Sequence, residues 1–195
     1  MTSTAREQAK NDRRTALLAA AARLFAAQGY AAVSLEEIGA ATGVSGPAVY
    51  RHFAGKQALL GAVLVEISDD LLDDGRTVAA AHPDPSERLD ALISSHVAFA
   101  VRHPDVIRVQ DRDVAHLGDA DRRRVRAAQR AYIDLWADAL GGIVDADDAE
   151  RRLRVQAAFG LINSTPHSTR AADRGTARTR SVLAGMARAA LTATA

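Results

Sequence analysis

Apolar residues recur at helical spacing along almost the whole chain of 195 residues. Leu17, Ala21 and Leu24 repeat every three or four positions, and similar spacing returns in segment after segment to about residue 192. Alternating β-branched runs are absent from the sequence, and no Asn-Gly or Asp-Gly hairpin joins two apolar segments. The pattern therefore predicts an all-α protein of about nine helices.

Turn residues and prolines predict where several of these helices end. The first helix is expected over about 13–28, followed by Gly29, a residue suited to a left-handed cap. A long fourth helix must stop before Pro83, because proline disfavours helical backbone at the residue that precedes it. A loop at about 163–175 is expected to separate the eighth helix from a last helix at about 176–192.

The composition excludes several classes of protein. The chain has no cysteine, which excludes disulfides, thiolate zinc sites, iron–sulfur clusters and a cysteine nucleophile. It also has no apolar run of the roughly 20 residues that span a bilayer, and no signal-peptide pattern. Metal-ligand spacings, nucleophile elbows, phosphate loops and dinucleotide fingerprints are absent. We therefore expect a cytoplasmic protein that is not an enzyme and needs no metal, cofactor or membrane.

Residues 34–53 contain two short capped segments joined by a Gly-centred turn. Ser34 and Glu37 have the spacing of a capping box. Ser45 can cap the next segment, which carries Pro47 in its first turn. This arrangement is typical of a helix-turn-helix, whose second helix enters the major groove of DNA. A small shared core is available from Leu24, Phe25, Leu35, Ile38, Val44, Val49 and Phe53.

The residues left outside this core are compatible with DNA. They are rich in hydrogen-bond donors and small side chains and poor in carboxylates. The first 60 residues carry a net charge of +3, whereas the remainder carries −2, and a basic end on a mildly acidic body favours polyanion binding. The candidate DNA-binding residues are Ser34, Ser45, Gly46, Pro47, Ala48, Tyr50, Arg51, His52 and Lys56.

The segment from Ser34 to Lys56 resembles the DNA-binding signature of the tetracycline-repressor (TetR) family of bacterial regulators. The first helix fits the same signature through Phe25, Gly29 and Tyr30. The similarity covers about residues 13–62, and the later helices agree with the family only in number and order. It implies a homodimer with an N-terminal three-helix DNA-binding domain and a larger helical domain for ligand binding and dimerisation.

On this resemblance, three regions are expected. Residues 1–12 form a flexible N-terminal arm, residues 13–56 the helix-turn-helix domain, and residues 57–195 the helical effector-binding and dimerisation domain. Tyr50 and Lys56 match family positions that hold phosphates.

Two further contacts with DNA are hypotheses from the residues themselves. Arg51 is the best candidate for a base or phosphate contact, since Pro47 and Ala48 cannot hydrogen-bond bases through their side chains. Arg6 and Lys10 can act as a DNA-contacting arm, although short charged tails are more often simply solvated.

The larger domain carries residues that a purely apolar core does not need. Each alone is more often a satisfied core residue, but together they can form an apolar pocket with a few polar anchors. The candidates are His96, Phe99, Gln110, Tyr132, Trp136, Phe159 and Asn163. Such a pocket suits a small hydrophobic effector, either lipid-like or flat and aromatic.

The eighth and last helices are apolar on more than one side, which favours a four-helix dimer interface. Burial of the eighth helix within one subunit is an alternative. The expected function is that of a ligand-responsive transcriptional regulator, a repressor released from a palindromic DNA operator by its effector. Two alternatives stay open: a dimeric DNA-binding protein without an effector, and an all-α enzyme.

Overall fold

The protein is described here by a computed structural model over residues 5–193. Within this range the chain forms α-helices, one 3-10 turn at Val114–His116 and no strand, which confirms the predicted all-α class. The helices are α1 (Ala5–Gln28), α2 (Leu35–Ala41), α3 (Gly46–Val49), α4 (Lys56–Ala81), α5 (Pro85–Arg102), α6 (Pro104–Asp113), α7 (Asp119–Gly141), α8 (Asp148–Asn163), α9 (Thr165–Ser168), α10 (Ala171–Arg174) and α11 (Ala177–Thr192).

Several helix ends are fixed by local capping. The capping box of α2 is present, because the Glu37 amide donates to Ser34 Oγ at 3.1 Å and the Ser34 amide donates to the Glu37 carboxylate at 2.7 Å. Asp84 caps α5, and Asp147 caps α8. Helix α1 ends at Gln28, and the φ of 93° at the next residue, Gly29, lies in the left-handed region that favours glycine.

Two predicted boundaries differ from the structure. Helix α1 begins at Ala5 rather than near residue 13, so residues 5–12, expected in a flexible arm, are helical. This stretch is rich in good helix formers but has no apolar stripe, and apolar periodicity therefore could not detect it. Residues 1–4 of the expected arm lie outside the described residues. The loop expected at 163–175 contains two helices of one turn each, α9 and α10.

Two clusters of buried side chains hold the fold together. The first joins α1–α3, which we call the head, to the start of α4 and to Val109 of α6 and Val125 of α7, and it includes Phe25 and Ile38. The second lies among α5, α7, α8 and α11, which with α6, α9 and α10 form the body, and Trp136 is at its centre. Helix α4 contributes side chains to both clusters, so one helix runs from the head into the body.

Candidate functional site

The turn between α2 and α3 brings the two helices of the head close together. The Val44 amide donates to the carbonyl of Gly39 at 2.9 Å. A Cβ on Gly39 would lie 2.6 Å from the Val44 carbonyl oxygen, so only glycine allows this approach. Gly43 has a φ of 69°, which reverses the chain at little steric cost. The helix-turn-helix geometry thus depends on two glycines.

Helix α3 covers only part of the second segment expected within residues 34–53. It spans Gly46–Val49, and single turns continue the coil, since the amides of His52 and Phe53 donate to the Val49 carbonyl at 2.9 and 3.1 Å. The predicted side-chain cap by Ser45 is wrong. Pro47 removes one of the amides that a cap would bind, and the Ala48 amide donates to the backbone carbonyl of Ser45 instead.

The two faces of this coil are as predicted. Val49 and Phe53 are buried in the head. Arg51 is exposed, Tyr50 is 55% exposed and His52 is half-buried. The remaining candidates lie on the same outer side: Ser45 and Pro47 are exposed, and Ser34, Gly46, Ala48 and Lys56 are half-buried. A face of this kind is free to contact a duplex.

The N-terminal part of α1 and the outer face of α3 enclose a basic concavity. It is lined by Arg6, Glu7, Lys10, Arg13, Gly43, Val44, Ser45, Ala48, Arg51 and His52. Burial lowers the pKa of His52, and the positive charges of Lys10, Arg13, Arg51 and Arg14 lower it further. The neighbouring cations give the concavity a positive potential, which suits the phosphates of DNA.

Lys56 occupies an unexpected position for a phosphate contact. Its Nζ donates to the carbonyls of Tyr30, Ala31 and Val33 at 2.9, 3.3 and 2.8 Å, and lies 4.6 Å from the centroid of the Tyr30 ring. The ammonium thus ties the start of α4 to the segment that follows α1. Its phosphate contact, like that of Tyr50, stays a prediction.

We expect Lys56→Met to destabilise the head. The substitution removes three charge-assisted hydrogen bonds and leaves carbonyls without their donor, which costs about 2 kcal/mol. Urea unfolding measures the change. Lys10→Met, which removes the same charge from an exposed site on α1, should leave the free energy of unfolding nearly unchanged. Equal stability of the two variants would contradict the structural role of Lys56.

The body contains a cavity of about 230 Å³ between α4, α5, α6, α7 and α8. Six of the seven predicted ligand residues line it: His96, Phe99, Gln110, Tyr132, Phe159 and Asn163. The placement of Trp136 in the wall is wrong. Its side chain is fully buried behind the wall, with its ring centroid 4.9 Å from that of Phe159. Helical spacing places Trp136 and Tyr132 on one side of α7 but does not fix their depth.

Ten other residues also line the cavity without having been predicted from the sequence, most of them on α4, α6 and α7. They are Ile67, Ser68, Leu71, Val106, Ile107, Asp111, Ala128, Gln129, Ile133 and Gln156. The apolar members have the ordinary pattern of core residues, so nothing in the sequence marks them. Gln129 and Gln156 are polar residues next to apolar stripes, a signal that could have identified them.

The cavity wall is aromatic and electrically neutral near His96. The His96 ring lies 4.5 Å from that of Phe159, and its Nδ1 is 3.4 Å from the Tyr132 hydroxyl. Burial lowers the pKa of His96 to about 4, although the Asn163 side chain opposes this shift. Burial raises the pKa of Tyr132. Both side chains are therefore uncharged at neutral pH.

The low pKa of His96 predicts a loss of stability in acid. Because the unfolded side chain has a pKa near 6.5, the unfolded state binds the proton first. The contribution of neutral His96 is fully present above about pH 6.5 and is lost as the pH falls towards 4. We expect His96→Phe to flatten the dependence of unfolding free energy on pH between 6.5 and 4. His116→Phe, at an exposed site, is the control, and an unchanged slope for His96→Phe would contradict the prediction.

Helices α8 and α11 carry an exposed apolar face. Among residues 5–193, three of the four exposed large apolar side chains lie there: Leu153 at 64%, Val182 at 52% and Met186 at 51%. The opposite side of α8 is buried in the body through Val155 and Ile162. The alternative of burial within one subunit therefore applies to one side of α8 only.

Within residues 5–193, no three acidic or histidine side chains are grouped as a metal ion would require. No helix in that range combines the length and the apolar character needed to cross a bilayer.

Together these features define a class of protein: a DNA-binding regulator with a helix-turn-helix head and a separate helical body that holds a cavity. Residues 17–63 match the family described as bacterial regulatory proteins, tetR family. Residues 82–168 match the tetracyclin repressor-like C-terminal domain. The chain belongs to the TetR family of bacterial transcriptional regulators, which confirms the resemblance noted in the sequence.

Individual relatives support this assignment. The transcriptional repressor KstR2 of Rhodococcus jostii is 30% identical over 80% of this chain and 77% of its own length. A TetR-family regulator from Bordetella parapertussis superposes with a TM-score of 0.80, at 24% identity, over 91% of this chain and 93% of its own. The regulator AibR, solved with isovaleryl coenzyme A and operator DNA, gives a TM-score of 0.75 at 24% identity, over 92% and 98% of the two chains. The last two likenesses show the fold alone.

Proposed function

We propose that the protein is a homodimeric cytoplasmic repressor, which a small effector in the body cavity releases from a palindromic operator. The observation that carries the proposal is the presence, in one chain, of a basic helix-turn-helix surface and a separate cavity in the body. KstR2 is a transcriptional repressor, and AibR was solved with both an acyl thioester and its operator. The protein acts by binding rather than by catalysis.

The exposed face of α8 and α11 supports the dimer. Leu153, Val182 and Met186 give this face apolar area that a monomer would leave in water. Two such faces related by a two-fold axis form a four-helix interface. The dimer then presents two heads to half-sites one DNA turn or a multiple apart, and this symmetry requires a palindromic operator.

DNA contacts are assigned to the basic concavity and the outer face of α3. Arg51 reads a base edge or holds a phosphate, and Tyr50 holds a phosphate. Helix α1 contacts the phosphate backbone of DNA through three cations that line the same concavity: Arg6, Lys10 and Arg13.

Release follows from the course of α4. The helix begins at Lys56 beside the head and supplies Ile67 and Leu71 to the cavity wall. An effector that binds one arrangement of α4 better than another shifts the protein towards that arrangement. If this arrangement spaces the two heads wrongly for the operator, the ligand lowers the affinity for DNA. The free energy of this effect equals that by which bound DNA weakens ligand binding.

Selection of bound duplexes from a random pool tests the proposal. The purified protein should enrich a palindrome, and Arg51→Ala should relax the preference at one position of each half-site. Arg123→Ala, an exposed change on α7, is the matched control and should retain the preference. Release of the enriched DNA is then measured against a metabolite collection. Failure to enrich any sequence, or an effector that leaves operator affinity unchanged, would overturn the proposal.

A further inference from the structure

We propose that the body cavity selects a small uncharged molecule carrying one amide-like hydrogen-bonding group, and that it rejects carboxylates and coenzyme A thioesters. This inference deepens the proposed function, on which it rests, by naming the chemical class of the effector. This ligand class differs from the acyl thioester with which AibR was solved. Four features carry it: the charge of the wall, two buried polar atoms, the size of the cavity, and the acidic surface beside it.

The wall of the cavity offers an anion no counter-charge. Within the described part of the chain, the polar side chains around it are mainly neutral amides, such as Gln110, Gln129 and Asn163, and none is Lys or Arg. The charged member is Asp111, whose carboxylate lies 3.1 Å from His167 Nε2. An anion that entered the cavity would lose its bound water without gaining a cation, and this desolvation costs free energy.

Two buried polar atoms in the wall, Nε2 of His96 and Oδ1 of Asn163, make no well-aligned hydrogen bond among the described residues, although the two side chains interact with each other. The neutral Tyr132 hydroxyl can donate to Nδ1 of His96, and in that tautomer Nε2 carries the ring proton. The wall then presents one donor, on His96, and one acceptor, on Asn163. A primary amide on the ligand matches both, because its carbonyl accepts and its N–H donates.

The size of the cavity limits the ligand further. At about 230 Å³ it is smaller than the cavities of roughly 300–1,000 Å³ that hold drug-sized ligands. A coenzyme A thioester would therefore have to leave its nucleotide outside.

The surface next to the cavity repels such a nucleotide. A neighbouring depression shares Ile67, Leu71 and Phe99 with the cavity wall, and it is lined by Asp70, Asp73 and Asp74 against one arginine, Arg102. Neighbouring carboxylates add to burial in raising the pKa of Asp70, which reflects this concentration of negative charge. Phosphates that emerged here would meet like charge.

The charge of the ligand can be tested on the unmodified protein. Isothermal titration calorimetry at pH 7.5 compares octanamide, octanoate and octylammonium, which share one alkyl chain, with octanoyl coenzyme A. We expect octanamide to bind at least tenfold more tightly than octanoate and octanoyl coenzyme A, to which the wall offers no cation. Tighter binding of octanoate, octylammonium or the thioester would overturn the inference, as would absence of octanamide binding at millimolar concentration.

The hydrogen-bonding part has its own variant. Methyl octanoate keeps the carbonyl of octanamide but lacks the N–H that Asn163 would accept. We expect the Asn163→Leu variant to bind octanamide and methyl octanoate equally well. The Asn163→Asp variant should still bind octanoate weakly. An unchanged preference in Asn163→Leu would contradict the role of Asn163 as acceptor. If this variant fails to fold, the comparison of the four ligands on the unmodified protein still tests the ligand class.

Operator release by the same four compounds separates the two proposals. If octanamide binds the cavity but leaves operator affinity unchanged, the repressor mechanism fails while the ligand class stands. If octanoyl coenzyme A binds and releases the operator, the mechanism stands while the ligand class is overturned.

Discussion

Val182→Glu combined with Met186→Glu is expected to convert the protein into a monomer and to lower its operator affinity by about 100-fold or more. The two residues lie one turn apart on the exposed face of α11, where a second copy would bury them. Carboxylates buried there without cations would oppose association. A monomer engages one half-site at a time and loses the effective concentration that links the two heads. Sedimentation and DNA titration measure the two effects.

The control for this pair is Ala120→Glu together with Thr77→Glu, which adds the same charge at exposed positions on α7 and α4. It should leave the dimer intact and DNA affinity within a few-fold of the original. A double variant that remains dimeric would place the interface elsewhere. One that becomes monomeric but keeps full operator affinity would separate DNA binding from dimerisation.

Replacement of Arg6, Lys10 and Arg13 by Gln is expected to weaken DNA binding about 100-fold at low salt. These cations line the basic concavity beside α3, and each phosphate contact that is lost reduces the slope of log affinity against log salt by about 0.9. Because phosphate contacts do not read sequence, binding to unrelated duplexes should fall by a similar factor. Fluorescence anisotropy between 50 and 300 mM salt measures both quantities.

A matched triple variant separates position from net charge. Arg123→Gln, Arg126→Gln and Arg130→Gln remove three exposed cations from α7, so the net charge changes equally. This protein should keep nearly the original salt slope. Equal slopes for both triple variants would mean that the concavity does not contact phosphates.

The head could be largely predicted from the sequence because its signals are local. The capping box needs only Ser34 and Glu37, three residues apart, and the structure contains both of its hydrogen bonds. The division of the segment into a buried side with Val49 and an exposed side with Arg51 follows from helical period alone. Length was less predictable, since Pro47 removes a capping amide and the residues after Val49 form single turns.

The cavity could be predicted only in part, because its shape depends on how distant helices pack. Spacing identified Tyr132 as inward-facing, and Tyr132 does line the cavity. The same spacing placed Trp136 beside it, whereas packing puts that ring one layer deeper. The hold of Lys56 on three carbonyls had no sequence signal either, because they follow α1 more than twenty residues earlier.

The uninterrupted course of α4 makes it a lever. About fifteen residues separate Leu71, in the cavity wall, from Lys56, which at 1.5 Å per residue is a distance of roughly 22 Å. A tilt of about 5° about the cavity end would displace the far end by about 2 Å. Because Lys56 is fastened to the segment after α1, the head would travel with that end, and in a two-fold dimer the separation of the recognition elements would change by up to twice the displacement.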